Sequence, residues 1–135
     1  MGIQYKKEYM ERAVAVAHKG IDSGCGGPFG CVIVCGDKVV AEAHNTVVRD
    51  NDPTAHGEVN AIRMAGKNLG RFDMSDCVLY TTSEPCPMCL ASIMWARIPV
   101  VYSAMISMMQ SGLDLMTSLS MMPWEIKSTE RKISL

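Results

Sequence analysis

Apolar positions recur along this chain with two different periods, and each change of period marks an element. Across residues 5–23, Met10, Ala13, Val14, Ala17 and Ile21 follow one another at three- and four-residue intervals, the stripe of an amphipathic helix. The glycines of residues 24–27 end it. Pro28 and Gly30 then lead into Cys31, Val32, Ile33, Val34 and Cys35, an apolar run of strand length, and Gly36 with Asp37 turns the chain back into a second run at residues 39–43. This is the pattern of a β-hairpin.

Residues 46–53 are a polar loop, and a helix is predicted over residues 54–69, with Val59, Ile62, Ala65 and Leu69 on its apolar side. Asp52 and Pro53 supply a cap and a first-turn proline for it. Cys77, Val78, Leu79, Tyr80 and Thr81 read as a strand, residues 87–96 as a helix, and Pro99, Val100, Val101 and Tyr102 as a further strand. A hairpin followed by alternating strands and helices predicts an α/β fold, with a mixed sheet covered on both faces.

Length and composition add that this is one globular domain over residues 1–135. With 48% hydrophobic and 20% charged residues, a chain of this size buries a core without disulfides. The stretch 98–123 carries Asp114 as its single charge and six methionines, at 105, 108, 109, 116, 121 and 122. Serines, Gln110, Gly112 and Pro123 interrupt it, so it is no membrane span. It reads as core packing, or as an apolar wall over a site or subunit interface.

Charge narrows the partners. The net charge is -1 and the thirteen basic residues are scattered, whereas nucleic-acid binding draws its affinity from clustered basic side chains. A polynucleotide partner is therefore disfavoured. Four of the six cysteines, Cys25, Cys31, Cys35 and Cys77, lie in or beside apolar segments as free thiols, and no signal peptide precedes them. These two features predict a reducing, cytoplasmic setting.

The candidate chemistry is concentrated in His56, Glu58, Cys86 and Cys89. One imidazole and two thiolates are good zinc ligands and are one short of a closed structural tetrahedron, so the fourth position is left to water. Two thiolates cancel the charge of the dication. The metal still brings the pKa of its water toward neutrality, and Glu58 is placed to move that water's protons as general base and then acid. Cys86 and Cys89 share one face at the start of a helix, where Pro87 is favoured and thiol pKa is lowered. His56 and Glu58 are about 200° apart on an ideal helix and converge only if His56 lies at its beginning. A lone C-x-x-C also occurs in redox sites and structural zinc knuckles. The structural-zinc alternative has no evident fourth ligand and leaves Glu58 without a role.

These residues, in the order His56-Gly57-Glu58 and Pro85-Cys86-Pro87-Met88-Cys89, carry the H-x-E and P-C-x-x-C signature of zinc-dependent deaminases. The chain resembles the cytidine deaminase superfamily and, within it, looks most like the bacterial guanine deaminases. The segments that carry the likeness are Gly26-Gly27-Pro28-Phe29-Gly30, Asn51-Asp52-Pro53-Thr54-Ala55-His56, the run from Cys77 to Cys89, and Trp95-Ala96-Arg97.

The resemblance implies a three-layer α/β/α sandwich with a mixed five-stranded sheet, a homodimer or larger homo-oligomer, and hydrolytic deamination of a free nucleobase. Guanine would become xanthine and ammonia by attack of zinc-activated water. By position, His56, Cys86 and Cys89 bind Zn2+, Glu58 shuttles protons, Asn45 hydrogen-bonds the base and Phe29 forms a pocket wall. Asp114 matches an acidic group that reads the N–H edge of guanine. Gly57 departs from the alanine usual in guanine and tRNA adenosine deaminases, and His-Gly-Glu with His44-Asn45 is similar to some cytosine deaminases. Cytosine, or another aminated heterocycle, is thus the alternative substrate, and tRNA adenosine a further one.

Overall fold

The computed structural model describes residues 5–104. Helix α1 (Lys7–Asp22) precedes a hairpin of β1 (Gly30–Cys35) and β2 (Lys38–His44). A one-turn helix α2 (Val47–Asp50) and the longer α3 (Gly57–Leu69) lead to β3 (Cys77–Thr81), α4 (Pro87–Ala96) and β4 (Val100–Ser103). The strands form one sheet in the order β2-β1-β3-β4. Strand β1 is antiparallel to both its neighbours, and β3 and β4 are parallel. The sheet is mixed, as expected. The fifth strand that the resemblance implies has no counterpart among the described residues.

Alternation along the central strands makes the sheet two-sided. Val32, Val34, Val78, Tyr80, Val100 and Tyr102 point to α1, where Tyr9, Met10 and Ala13 meet them. Cys31, Ile33, Leu79 and Val101 point the other way, onto Ala61 and Ala65 of α3 and Ile93 of α4, with Ile98 completing the layer. Ile33, Leu79, Ile93 and Ile98 are fully buried, each worth about 1.5–3 kcal/mol relative to exposure. Three layers result: α1, the sheet, and α3 with α4.

The apolar stripe of α1 is rotated from its predicted position. Tyr9, Met10, Ala13, Val16, Ala17 and Gly20 are buried, whereas Ile21 is 42% exposed. The reason lies at Gly30, where a Cβ atom would come within 2.2 Å of the Ala13 carbonyl oxygen and 2.7 Å of the Ala17 nitrogen. The helix approaches the sheet closely there, which selects its small residues for the contact and turns Ile21 outward.

Helix α3 begins three residues later than predicted. Asp52 does not cap it: its Oδ1 accepts hydrogen bonds from the Thr54 N–H and hydroxyl at 2.8 and 2.7 Å, a local turn that uses the side chain up. Pro53 lies in that turn, and His56 is the residue that caps α3. In α4, by contrast, Cys86 is the cap and Pro87 opens the helix, as the sequence predicts.

Candidate active site

Two helix starts and two strand ends meet at one end of the sheet. His56, the cap of α3, has extended backbone angles, and this bend turns its ring toward α4 while Glu58 points inward from the first turn. The His56 Nδ1 lies 3.7 Å from Cys86 Sγ and 3.5 Å from Cys89 Sγ. The Cys89 N–H donates to Cys86 Sγ at 3.4 Å, so the cap itself orients one thiol.

The donor atoms of His56, Cys86 and Cys89 all lie within 4.8 Å of one another. Zinc bond lengths of about 2.0–2.1 Å to nitrogen and 2.3 Å to sulfur, at tetrahedral angles, require nitrogen–sulfur separations of about 3.6 Å. The observed distances match, and an imidazole with two thiols is a donor set that selects zinc. The residues present fit the ion.

Glu58 is buried. Its Oε2 accepts a hydrogen bond at 3.2 Å from the hydroxyl of Thr81, at the end of β3. Burial raises the Glu58 pKa above the usual carboxylate range, against the opposing pull of its own backbone N–H, Cys89, Thr81 and His56. Burial also pushes the Cys89 thiol up, with the Glu58 charge adding to the effect. A bound dication favours the thiolate against this desolvation.

A pocket of about 260 Å3 opens over these groups, lined by Phe29, Asn45, His56, Glu58, Ser83, Glu84, Cys86 and Cys89. Its far wall is held by α3. The Asn60 amide donates to the carbonyls of His44 and Ala55 and to Thr46 Oγ1, tying the end of β2 to the loop before His56. The Asn45 N–H donates to the Phe29 carbonyl at 3.1 Å. Asn45 Oδ1 accepts from the Val47 N–H at 3.0 Å, which leaves the amide NH2 as the group Asn45 offers to the pocket.

Six of the seven predicted site residues therefore meet at one pocket, and Asp114 lies outside the described residues. Thr81, Ser83 and Glu84 are additions. The signal for Thr81 is a pair of hydroxyls, Thr81 and Thr82, ending an otherwise apolar strand just before the cysteine pair. Both are buried, and Thr82 Oγ1 accepts from the Gly30 N–H at 3.1 Å. A larger groove of about 630 Å3 between α3 and α4, beside Phe72 and Trp95, lacks metal donors.

Among known proteins, a family model described as the cytidine and deoxycytidylate deaminase zinc-binding region matches residues 3–105. The chain belongs to this family. It is 53% identical over 96 residues to a guanine deaminase of Bacillus subtilis, covering 71% of this chain and 62% of that protein. It is 36% identical over 101 residues to a tRNA-specific adenosine deaminase of Aquifex aeolicus, covering 74% and 66%. The solved structure of guanine deaminase from Bacillus subtilis superposes with a TM-score of 0.72 at 50% identity, over 75% of this chain and 64% of that one. The chain thus spans somewhat less than two thirds of the guanine deaminases it matches. The fold is that of cytidine deaminase-like proteins, and the domain is a zinc-binding one. Among the described residues no helix is long and apolar enough to cross a membrane.

Proposed function

We propose that this chain is a single-domain zinc-dependent hydrolase that deaminates free guanine to xanthine and ammonia. The observation that carries the reading is the buried, Thr81-bonded carboxylate of Glu58 beside three zinc donors in one pocket. The 53% identity to a guanine deaminase supports guanine as the base.

In this reading His56, Cys86 and Cys89 hold the zinc ion. When bound, zinc supplies a Lewis acid that acidifies a water molecule. Glu58 takes the proton of that water as its oxygen adds to the amino-bearing ring carbon. It then delivers the proton to the departing nitrogen, so that the C–N bond breaks and ammonia leaves. Phe29 packs on the base, and the Asn45 NH2 donates to an acceptor on the ring. Asp114 accepts from the N–H edge of guanine. The pocket's modest volume suits a free base.

A homo-oligomer in a reducing cytoplasm belongs to the same proposal. Phe72 and Trp95, each 78% exposed, supply an apolar surface for a second copy, and all six cysteines are free. The scattered basic residues argue against a nucleic-acid partner.

The test is ammonia release by zinc-loaded protein offered guanine, cytosine, adenine, guanosine and a tRNA anticodon stem-loop. Guanine turnover alone is the expected result. Activity on another member with guanine inert keeps the zinc chemistry and removes guanine; no activity on any member removes the enzyme. Asp114→Asn is expected to weaken guanine far more than any other substrate, and an equal loss on all removes its reading role.

A further inference from the structure

At the end of the sheet away from the zinc donors, a second group of thiols stands between two strands. Cys35 ends β1 and Cys77 begins β3, and the antiparallel register sets them directly opposite each other. Register partners point to the same face. Directly opposed residues have Cα atoms about 4.5–5.5 Å apart, inside the 4.4–6.8 Å range of a disulfide. Here the two Sγ atoms and an Asp76 carboxylate oxygen all lie within 4.8 Å.

The two thiols differ in access. Cys77 is fully buried, whereas Cys35 is partly exposed and lines a pocket of about 340 Å3 with Lys38, Val39, Val40, Asn68 and Leu69. Arg71 donates to Cys35 Sγ at 3.7 Å, and Lys38 is the residue opposite Cys35 on β2. The Cys35 thiol itself donates to Asp76 Oδ2 at 3.3 Å. A small oxidant thus reaches one sulfur, set between this carboxylate and the Arg71 guanidinium, while the other waits behind it.

We propose that Cys35 and Cys77 are an oxidative modification site, closing to a cross-strand disulfide with hydrogen peroxide. Cys35 passes its proton to Asp76 Oδ2, to which the thiol donates at 3.3 Å, and attacks a peroxide oxygen as thiolate; the O–O bond breaks, leaving a sulfenic acid, and the departing hydroxide takes that proton to become water. The Cys77 sulfur then attacks the sulfenic sulfur. The S–O bond breaks, and hydroxide leaves as water with the Cys77 proton, passed through Asp76, to which the Cys77 thiol donates at 3.5 Å. Two thiols and one peroxide become one disulfide and two waters, the thiols oxidised and the peroxide reduced.

A metal ion is the competing occupant. Arg71 opposes it, because its guanidinium bonds both Asp76 oxygens at 3.0 Å and reaches Cys35 as well, so a fixed positive charge already occupies the cluster. The disulfide is remote from the pocket: Gly30 and Thr81, at the opposite ends of the same strands, are the residues that approach it.

The experiment treats the zinc-loaded chain with stepwise hydrogen peroxide, blocks free thiols by alkylation, and maps non-reduced peptides by mass spectrometry. The expected result is a linked pair of peptides containing Cys35 and Cys77, lighter by two hydrogens, separated again by dithiothreitol, with zinc content unchanged. Cys35→Ser should leave Cys77 alkylatable after unfolding and never linked. Because Cys77→Ala opens a cavity in the sheet, its counterpart test traps the sulfenic acid of Cys35 in the wild-type chain with dimedone at early times. Recovery of both thiols unlinked after peroxide, or over-oxidation of Cys35 without a link, overturns the proposal. A second bound metal lost in Cys35→Ser overturns it in favour of a metal site.

Discussion

The hydroxyl of Thr81 donates to Glu58 Oε2 across 3.2 Å, joining the end of β3 to the first turn of α3. The bond fixes which way the carboxylate faces. Thr81→Val keeps the shape of the side chain and removes the donor. Losing one hydrogen bond costs about 0.5–1.5 kcal/mol, so kcat should fall by roughly 2- to 10-fold at unchanged zinc content, and Thr81→Ser should restore it. A Val variant with wild-type kcat removes Thr81 as a positioning residue.

Glu58→Gln preserves size and keeps all three metal donors. Zinc content should be unchanged, while ammonia release should fall by about 10^2- to 10^4-fold, the usual contribution of a positioned acid–base group. Metal analysis beside a turnover assay separates this from a folding defect. Full activity in the variant would sink the assigned mechanism.

The glycine between the ligand and the acid is not demanded by packing. A Cβ at Gly57 would meet its nearest atom, the Phe29 carbonyl oxygen, at 3.4 Å, an ordinary contact. Gly57→Ala should therefore retain activity and stabilise the fold by about 0.4–1 kcal/mol through the unfolded chain. Urea denaturation measures it. A loss of stability would mean that the Phe29 carbonyl sits closer to α3 than this 3.4 Å approach.

Alkaline pH should weaken the opposite face of the sheet. Burial raises the Tyr80 phenol to about 12, and the surrounding rings of Tyr102, Tyr5 and Tyr9 add to it. A folded-state pKa above the ordinary phenol value of 10.0 means that the fold favours the neutral phenol. Its contribution is complete below pH 10 and is lost as pH rises toward 12. Urea midpoints across this window should drop, with tyrosinate absorbance rising alongside. Tyr80→Phe should flatten the drop, although it also removes the acceptor of the Lys6 N–H; an unchanged slope would assign the alkaline loss to other groups.

Much of this was legible because the signals were local. Pro87 after Cys86 marks a helix start unambiguously, and both the α4 and β3 limits agree with the pattern. Asp52 misled for an equally local reason, since a carboxylate before a proline caps a helix or closes a turn on Thr54 with the same atoms. The α1 stripe failed on a distant contact. Only the approach of Gly30 to Ala13 and Ala17 decides which side of that helix faces inward, and no period within residues 5–23 encodes it. Convergence of His56 with the cysteines was readable from ligand chemistry, but Thr81 became visible only when the strand end was placed beside α3.

His56 is a cap, and Glu58 lies two residues inside it, so the proposed ligand and the proposed acid ride on the same helical turn. Helix ends are where backbones fray and exchange amide hydrogens first. Unwinding that one turn removes both groups together, and the pocket can therefore open as a unit while the sheet beneath it stays closed. In the proposed site an ion held by His56, Cys86 and Cys89 would tie this turn to the start of α4, coupling metal occupancy to the local order of the backbone as well as to chemistry.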